Sequence, residues 1–499
     1  MSDFTKLPDL VSERLGGRVL LANDEFFAPK ENLLKPEKPI YIEGKYTEFG
    51  KWMDGWETRR RRTPGYDWCI LQLGLPGILR GMVVETTHFK GNHPEHCSLE
   101  ACAVEDDRAA ELIAESQSWT EIIPKSPLQG DSANLFAIEN AHRYTHLRFK
   151  IYPDGGVARL RVHGDPLLDW RSIPENAMDL ASALHGARVI ACSDEFFSAP
   201  QNLLMPGDGV NMGDGWETRR RRGPGHDWVV IRLAIAGMIQ RVEVSTAHFK
   251  GNFPESFSLE GCTLRGEDHT DPQNACWEQL LPRTPLRADA LHVYELSGSP
   301  AATHVRFNIF PDGGVSRLRI YGVPTRDARI AEGLRLFDAL PDSEARSSLI
   351  SCCGSAKWAE QILRQRPYRS PEHLRSIADA TWNSLGCEDW LEAFSHHPEI
   401  GSRKAAITQS EQARRWSMQE QAQISHSSAS VLAELERANQ EYAERFGHIF
   451  LSYASGRGPQ EVLADLQQRL ANDPATELKV AAEEQRRIMQ HRLGELLGL

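Results

Sequence analysis

A chain of 499 residues is too long for one hydrophobic core and implies about three domains. Its 40% hydrophobic and 25% charged residues are those of an ordinary soluble globular protein, and a net charge of −12 excludes a general nucleic-acid binder, which carries a basic excess. No run of about 20 apolar residues could cross a bilayer, no basic start precedes an apolar stretch, and the nine cysteines form neither a disulfide framework nor zinc-ligand spacing, so a cytoplasmic chain with reduced thiols is expected.

Taken in chain order, the first two thirds are written twice. Asp24-Glu25-Phe26-Phe27 returns as Asp194-Glu195-Phe196-Phe197, and the nine residues Asp54 to Arg62 return letter for letter as Asp214 to Arg222. His88-Phe89-Lys90-Gly91-Asn92 returns as His248 to Asn252, and Pro153-Asp154-Gly155-Gly156-Val157 as Pro311 to Val315. The offset falls from 170 to 160 between the first two blocks, so copy one carries ten extra residues, around Lys38 to Phe49, expected as a surface loop. Alternating patterns predict strands at Trp68 to Leu73 and Met82 to Thr87, and a β-hairpin whose turn is Pro153 to Gly156, with counterparts in copy two. Many short strands between Gly and Pro turns point to antiparallel β-sandwiches. After Gly322-Val323-Pro324 the period changes: Val431, Leu432, Leu435, Ala438, Tyr442 and Phe446 recur at helical steps, with prolines separating several helices. The expected organisation is repeat one at 1–170, repeat two at 171–325, a linker at 326–334 and an all-α domain at 335–499.

Core positions drift between the copies, as Cys69-Ile70-Leu71 against Val229-Val230-Ile231 shows, while polar residues of the repeated blocks do not. On a strand, alternate side chains of each Arg quartet would share a face. They suit either a solvated edge strand or a clamp in which the guanidinium fork binds a carboxylate. His93 and His96 have metal-type spacing, but copy two has Phe253 and Ser256 there, so no metal is expected.

The helical third has its own dense polar stretch, Ser395-His396-His397-Pro398-Glu399-Ile400-Gly401, followed by Trp416-Ser417-Met418-Gln419-Glu420-Gln421. Ser417 stands three residues before Glu420, which by spacing alone is the capping box of a helix N-terminus, and a His before Pro reads as structural.

Resemblance to known families goes further than spacing. The repeated blocks, over about residues 10–325, resemble allantoicase. That implies tandem all-β jelly-roll sandwiches of the galactose-binding type and hydrolysis of allantoate to ureidoglycolate and urea. Within that expectation, Arg59 or Arg219 binds the substrate carboxylate, Asp, Glu and Asn side chains, Asp54, Asp214, Asn92 and Asn252 among them, bind its ureido groups, and Lys90 and Lys250 are further substrate-binding residues. His88 or His248 with Glu57 or Glu217 activates water and protonates the departing urea. The alternative for each His is to cap a strand end and orient its neighbours.

His-Pro-x-Ile-Gly, Ser-x-x-Glu-Gln, Leu435-x-x-x-Asn439-x-x-Tyr442-x-x-x-Phe446-Gly447, Gly456-Arg457 and Arg492-Leu493 together resemble the OHCU (2-oxo-4-hydroxy-4-carboxy-5-ureidoimidazoline) decarboxylase family over about residues 332–499. The resemblance implies His397 as acid/base, Glu420 and Gln421 beside it, and Ser417, Pro398 and Arg492 as substrate contacts. Glu399 stands where that family usually has a basic residue. Decarboxylation can pass its electrons to an adjacent imine of the substrate, so no cofactor is expected. The expected partners are small ureides, with no nucleic acid or membrane, in a homo-oligomer that could associate with allantoinase. A tandem jelly roll that only binds ligand, joined to a helical decarboxylase, is the second reading.

Overall fold

The computed structural model describes residues 4–104, 119–173, 175–264, 275–400, 410–420, 429–453 and 456–498. The chain forms two compact units, Met1–Ala328 and Arg329–Leu499.

In the first unit each repeat is organised by one 19-residue strand, Asp67–Glu85 or Asp227–Ser245. In copy one, its first half pairs with Arg18–Ala22 and Arg143–Tyr152, and the latter carries the sheet on to His96–Cys102 and Thr120–Pro127. Its second half pairs with Arg159–Pro166 and Ala133–Ala137. The register breaks between Gln72 and Gly77, and there the strand passes from one layer of the sandwich to the other. The two strands expected at 68–73 and 82–87 are therefore one. The expected hairpin is not formed either, because Arg143–Tyr152 and Arg159–Pro166 pair with different halves of the long strand. Alternation marks both segments as strands but does not specify their partners.

Leu71, Leu73, Leu75, Met82 and Val84 of the long strand meet Leu147, Phe149, Ile151, Leu160 and Val162 in a core that is continuous with that of copy two. Each such aliphatic side chain contributes about 1.5–3 kcal/mol on burial. The inserted segment of copy one forms a short ladder, Tyr46–Thr47 with Gly50–Lys51, and leaves Ile40, Tyr41, Ile42, Tyr46 and Phe49 largely in solvent.

The second unit is helical, and residues 326–334, expected as a linker, lie in the helix Arg326–Asp338, within which the first unit ends and the second begins. Pro371, Pro459 and Pro474 each open a helix, where a missing N–H costs nothing, and Ser370 and Asp473 cap two of these starts. The final helix, Pro474–Leu497, is buried along Ala481, Ala482, Ile488, Met489, Leu493 and Leu496 against Trp358, Trp382 and Phe394. Among the described residues no helix is long and apolar enough to cross a membrane.

Candidate active sites

In the repeats the duplicated block can be read residue by residue. A side chain at Gly55 would meet Val157 O at 2.5 Å. Trp56 is fully buried and its Nε1 donates to Asp24 O at 2.8 Å, tying the first block to the second, as Trp216 does with Asp194 O. Glu57 follows on the two-residue strand paired with Gly156–Val157, so its side chain emerges beside the Asn92 loop. Asn92 Nδ2 donates to Glu57 Oε1 at 2.8 Å, and Asn252 Nδ2 to Glu217 Oε1 at 2.6 Å. Burial raises the Glu57 carboxyl above its ordinary pKa, opposed by the Asn92 hydrogen bond.

The Arg quartets lie in loops rather than on edge strands. Arg59 Nε donates to Asp24 Oδ2 at 2.6 Å and the guanidinium lies over Phe26; Arg219 repeats this with Asp194 and Phe196. That leaves the outer nitrogens of both guanidiniums without a protein partner among the described residues. Arg61 is structural, pairing with the buried Asp67 at 2.5 Å. Asp54 and Asp214 also turn inward: Asp54 accepts from buried Arg159 at 2.8 Å and Asp214 from Arg317 at 2.7 Å. Their carboxylates are held low, Arg159 and Arg317 outweighing burial with help from the Ile40 and Val210 amides.

His88 and His248 do not meet the glutamates. His88 Nε2 lies 3.4 Å from Pro39 O and His248 Nε2 2.7 Å from Gly209 O, while their backbone N–H groups donate to Asp131 and Asp289. Both hold positive φ, 71° and 72°. In each copy the His and the Asp of the duplicated block thus pin adjacent residues of one loop, Pro39-Ile40 or Gly209-Val210. Lys90 lies on the surface 3.7 Å from Asp131, and Lys250 is exposed.

A cavity of about 550 Å³ opens in copy two, lined by Phe197, Glu217, Arg220, Asn252, Phe253 and Asp312 among others. In copy one the inserted segment packs on the Asp24-Glu25-Phe26-Phe27 block. Phe49 packs on Phe26 with ring centroids 4.4 Å apart, and Gly50 lies against Phe27. Phe26 is 39% exposed, against 63% for Phe196 and 61% for Phe197.

In the helical unit the expected residues converge. Arg492, 2% exposed, donates through Nε and Nη2 to both oxygens of Glu420 at 2.8 Å each, and through Nη2 to Ser417 Oγ at 2.9 Å. Ser417 and Glu420 lie in the last turn of the helix Glu411–Glu420, so they are not an N-terminal cap. Their spacing puts both on one helical face, where Arg492 reaches them. His397 is 7% exposed and its pKa is pushed well below the usual value, first by burial, then by Arg492 and His396. The ring separates two spaces. A void of about 20 Å³ touches Pro398, Ser417 and Glu420, room for one water at most. A cavity of about 400 Å³ is lined by Arg346, Ser347, Ser351, His396, His397, Ser410 and Arg492. Gln421 lies outside the described residues.

Sequence reasoning missed two supports of this centre. Asn439 Nδ2 donates to Ile400 O at 2.9 Å, fixing the chain just after His397-Pro398, and fully buried Gln485 approaches His397 from the last helix. Asn439 stood within a recognised motif. Gln485 could have been found as a polar residue on an apolar helical stripe.

Two β-sandwiches with a repeated Glu–Asn pair beside loop arginines, and a helical unit with a buried His next to a paired Arg, define a chain with two kinds of polar site for small anionic molecules. The allantoicase repeat profile matches residues 8–167 and 178–325, and the OHCU decarboxylase profile matches residues 338–494. A Burkholderia mallei protein named "Probable allantoicase 1" is 48% identical over 326 residues, covering 64% of this chain and 96% of its own. A Ralstonia nicotianae protein named "Probable allantoicase" is 49% identical over 326 residues, again 64% and 96%. The crystal structure of allantoicase from Saccharomyces cerevisiae has 37% identity and a TM-score of 0.54, covering 64% of this chain and 93% of that one. The chain belongs to the allantoicase family and continues into an OHCU decarboxylase domain. It is a bifunctional enzyme of allantoin metabolism, a C–N hydrolase joined to a carboxy-lyase.

Proposed function

We propose that allantoate is hydrolysed in the copy-two cavity. The observation that carries this is the opening beside Glu217, Asn252 and Arg220 in copy two, while in copy one the insertion packs on Phe26 and Phe27. Arg219 and Arg220 supply guanidinium groups for the substrate carboxylate, and Asn252 fixes the Glu217 carboxylate. Water attacks the central carbon, Glu217 takes its proton and passes one to the departing nitrogen, and urea leaves. His248 holds the loop that borders this site rather than moving the proton.

In the helical unit, His397 is neutral and ready to accept the proton of the substrate hydroxyl. The carbon–carboxylate bond breaks and carbon dioxide leaves; the electron pair forms a double bond to the former imine carbon, whose nitrogen takes a proton from solvent, and as the hydroxyl becomes a carbonyl the imidazolium returns the hydroxyl proton to one face of that former imine carbon. Arg492, which lines the cavity of about 400 Å³ together with His397, holds the substrate carboxylate, while Ser417 and Glu420 fix its guanidinium from the opposite side.

The two half-reactions are separable. His397→Asn abolishes formation of optically pure allantoin and leaves urea release intact, while Glu217→Gln does the reverse. Loss of both activities in either variant overturns the assignment. Allantoin from one unit must be ring-opened before the other can use its carbon skeleton, so recruitment of an allantoinase by a cytoplasmic homo-oligomer belongs to the same reading. Co-purification of the two proteins tests it.

A further inference from the structure

The last helix delivers two polar side chains along one buried stripe. Gln485, Ile488, Met489 and Arg492 recur at three- and four-residue steps and all are buried. Both polar members reach the end of the helix Asp342–Cys353, whose last carbonyls have no partner within the helix. Gln485 Nε2 donates to Cys353 O at 2.9 Å, and Arg492 Nη1 lies 3.3 Å from Ser351 O. An amide has one oxygen and one NH₂, so fixing the NH₂ on Cys353 turns Oε1 the other way. Oε1 of Gln485 and Nε2 of His397 are both buried, and neither has a hydrogen-bond partner among the described residues. The Gln485 side chain nevertheless lies close enough to the His397 ring to favour its protonated form, against the burial, Arg492 and His396 that lower its pKa. An apolar residue at 485 would complete the stripe; the buried amide needs a second partner, and the imidazole N–H is the donor at hand.

We propose that Gln485 is a positioning residue of the decarboxylation: its Oε1 accepts from Nε2–H of neutral His397 and holds the ring in that tautomer. Nδ1 then keeps the lone pair that takes the substrate proton. This rests on His397 being the base of the reaction.

The test uses the full chain, with urea release from allantoate as internal control. Gln485→Met keeps the volume and removes the acceptor; kcat for decarboxylation falls at least about tenfold while KM and urea release stay unchanged. Gln485→Glu keeps an acceptor and adds charge, raising the acid limb of the pH–rate profile by about one to three units. A profile unmoved in Gln485→Glu, or full kcat in Gln485→Met, overturns the proposal. Should Gln485→Met fail to fold, Gln485→Glu alone decides. Should His397→Asn decarboxylate normally, the assignment of the base fails first. Nitrogen-15 NMR of the ring, assigned by difference from that variant, then decides the tautomer: Nε2–H supports the role of Gln485 and Nδ1–H refutes it.

Discussion

Arg492 meets Glu420 in a two-pronged ion pair, Nε and Nη2 each 2.8 Å from a different carboxylate oxygen, with both side chains almost out of solvent. Such a pair contributes little net stability while intact, but removing one partner leaves a charge buried alone. Glu420→Ala should therefore destabilise the helical unit by about 3–5 kcal/mol, and Arg492→Lys, which cannot engage both oxygens and Ser417 together, should abolish decarboxylation. Urea release should persist in both at temperatures where the helical unit has unfolded. Thermal unfolding followed by both activity assays checks this.

His397 carries a pH prediction. Its folded pKa lies well below the ordinary histidine value of 6.5 because the ring is buried beside Arg492 and His396. Above about pH 6.5 the ring is neutral in folded and unfolded chains alike. As pH falls below that value only the unfolded chain gains the proton, so the helical unit loses up to about 1.4 kcal/mol per pH unit until the folded pKa is reached. His397→Asn should flatten this acid-side loss in urea titrations between pH 4 and 8. An unchanged slope would show that another group is responsible.

The two glutamates of the repeats should not be equivalent. Glu217 borders the open cavity of copy two, and Glu57 lies in the copy whose Phe26 and Phe27 carry the insertion. Glu217→Gln should lower kcat for urea release at least about 100-fold and Glu57→Gln less than tenfold, since general acid–base groups typically contribute 10²–10⁴. The reverse order would move the chemistry to copy one.

The copies also differ in a brace between them. Arg14 of repeat one donates to Asp214 at 2.5 Å and to Asn202 at 2.9 Å in repeat two, and Leu184 occupies its counterpart position. Arg14→Leu should cost the sandwich unit about 1 kcal/mol, less at high salt, because the pair is only partly buried. KM for allantoate should rise in parallel, because Asp214 also anchors the Val210 loop. Calorimetry at two ionic strengths separates this from a loss of packing.

If His248 only holds the Gly209 carbonyl, His248→Gln should keep most of the turnover and His248→Ala should lose it mainly through KM. Loss of kcat in both would restore a proton-transfer role. Steady-state kinetics of urea release on each variant decides.

The duplicated blocks alone defined two equivalent sandwiches, because matched polar residues cannot arise from the tolerance of a packed core. Helical periodicity likewise marked the last third, and the motif order in each part named its chemistry. What the sequence could not contain was the direction of each side chain. Asp54 has the same composition-level promise as Glu57, yet it faces buried Arg159 while Glu57, on the strand paired with Gly156–Val157, faces Asn92. The hairpin and the capping box failed for one reason: local spacing predicts neighbours within an element, and these partners come from distant ones. Only the tertiary structure brings Arg492 across 72 residues to Glu420 and sets Gln485 against His397. Burial in that assembled core, rather than any property of the motif, pushes the His397 pKa below its ordinary value.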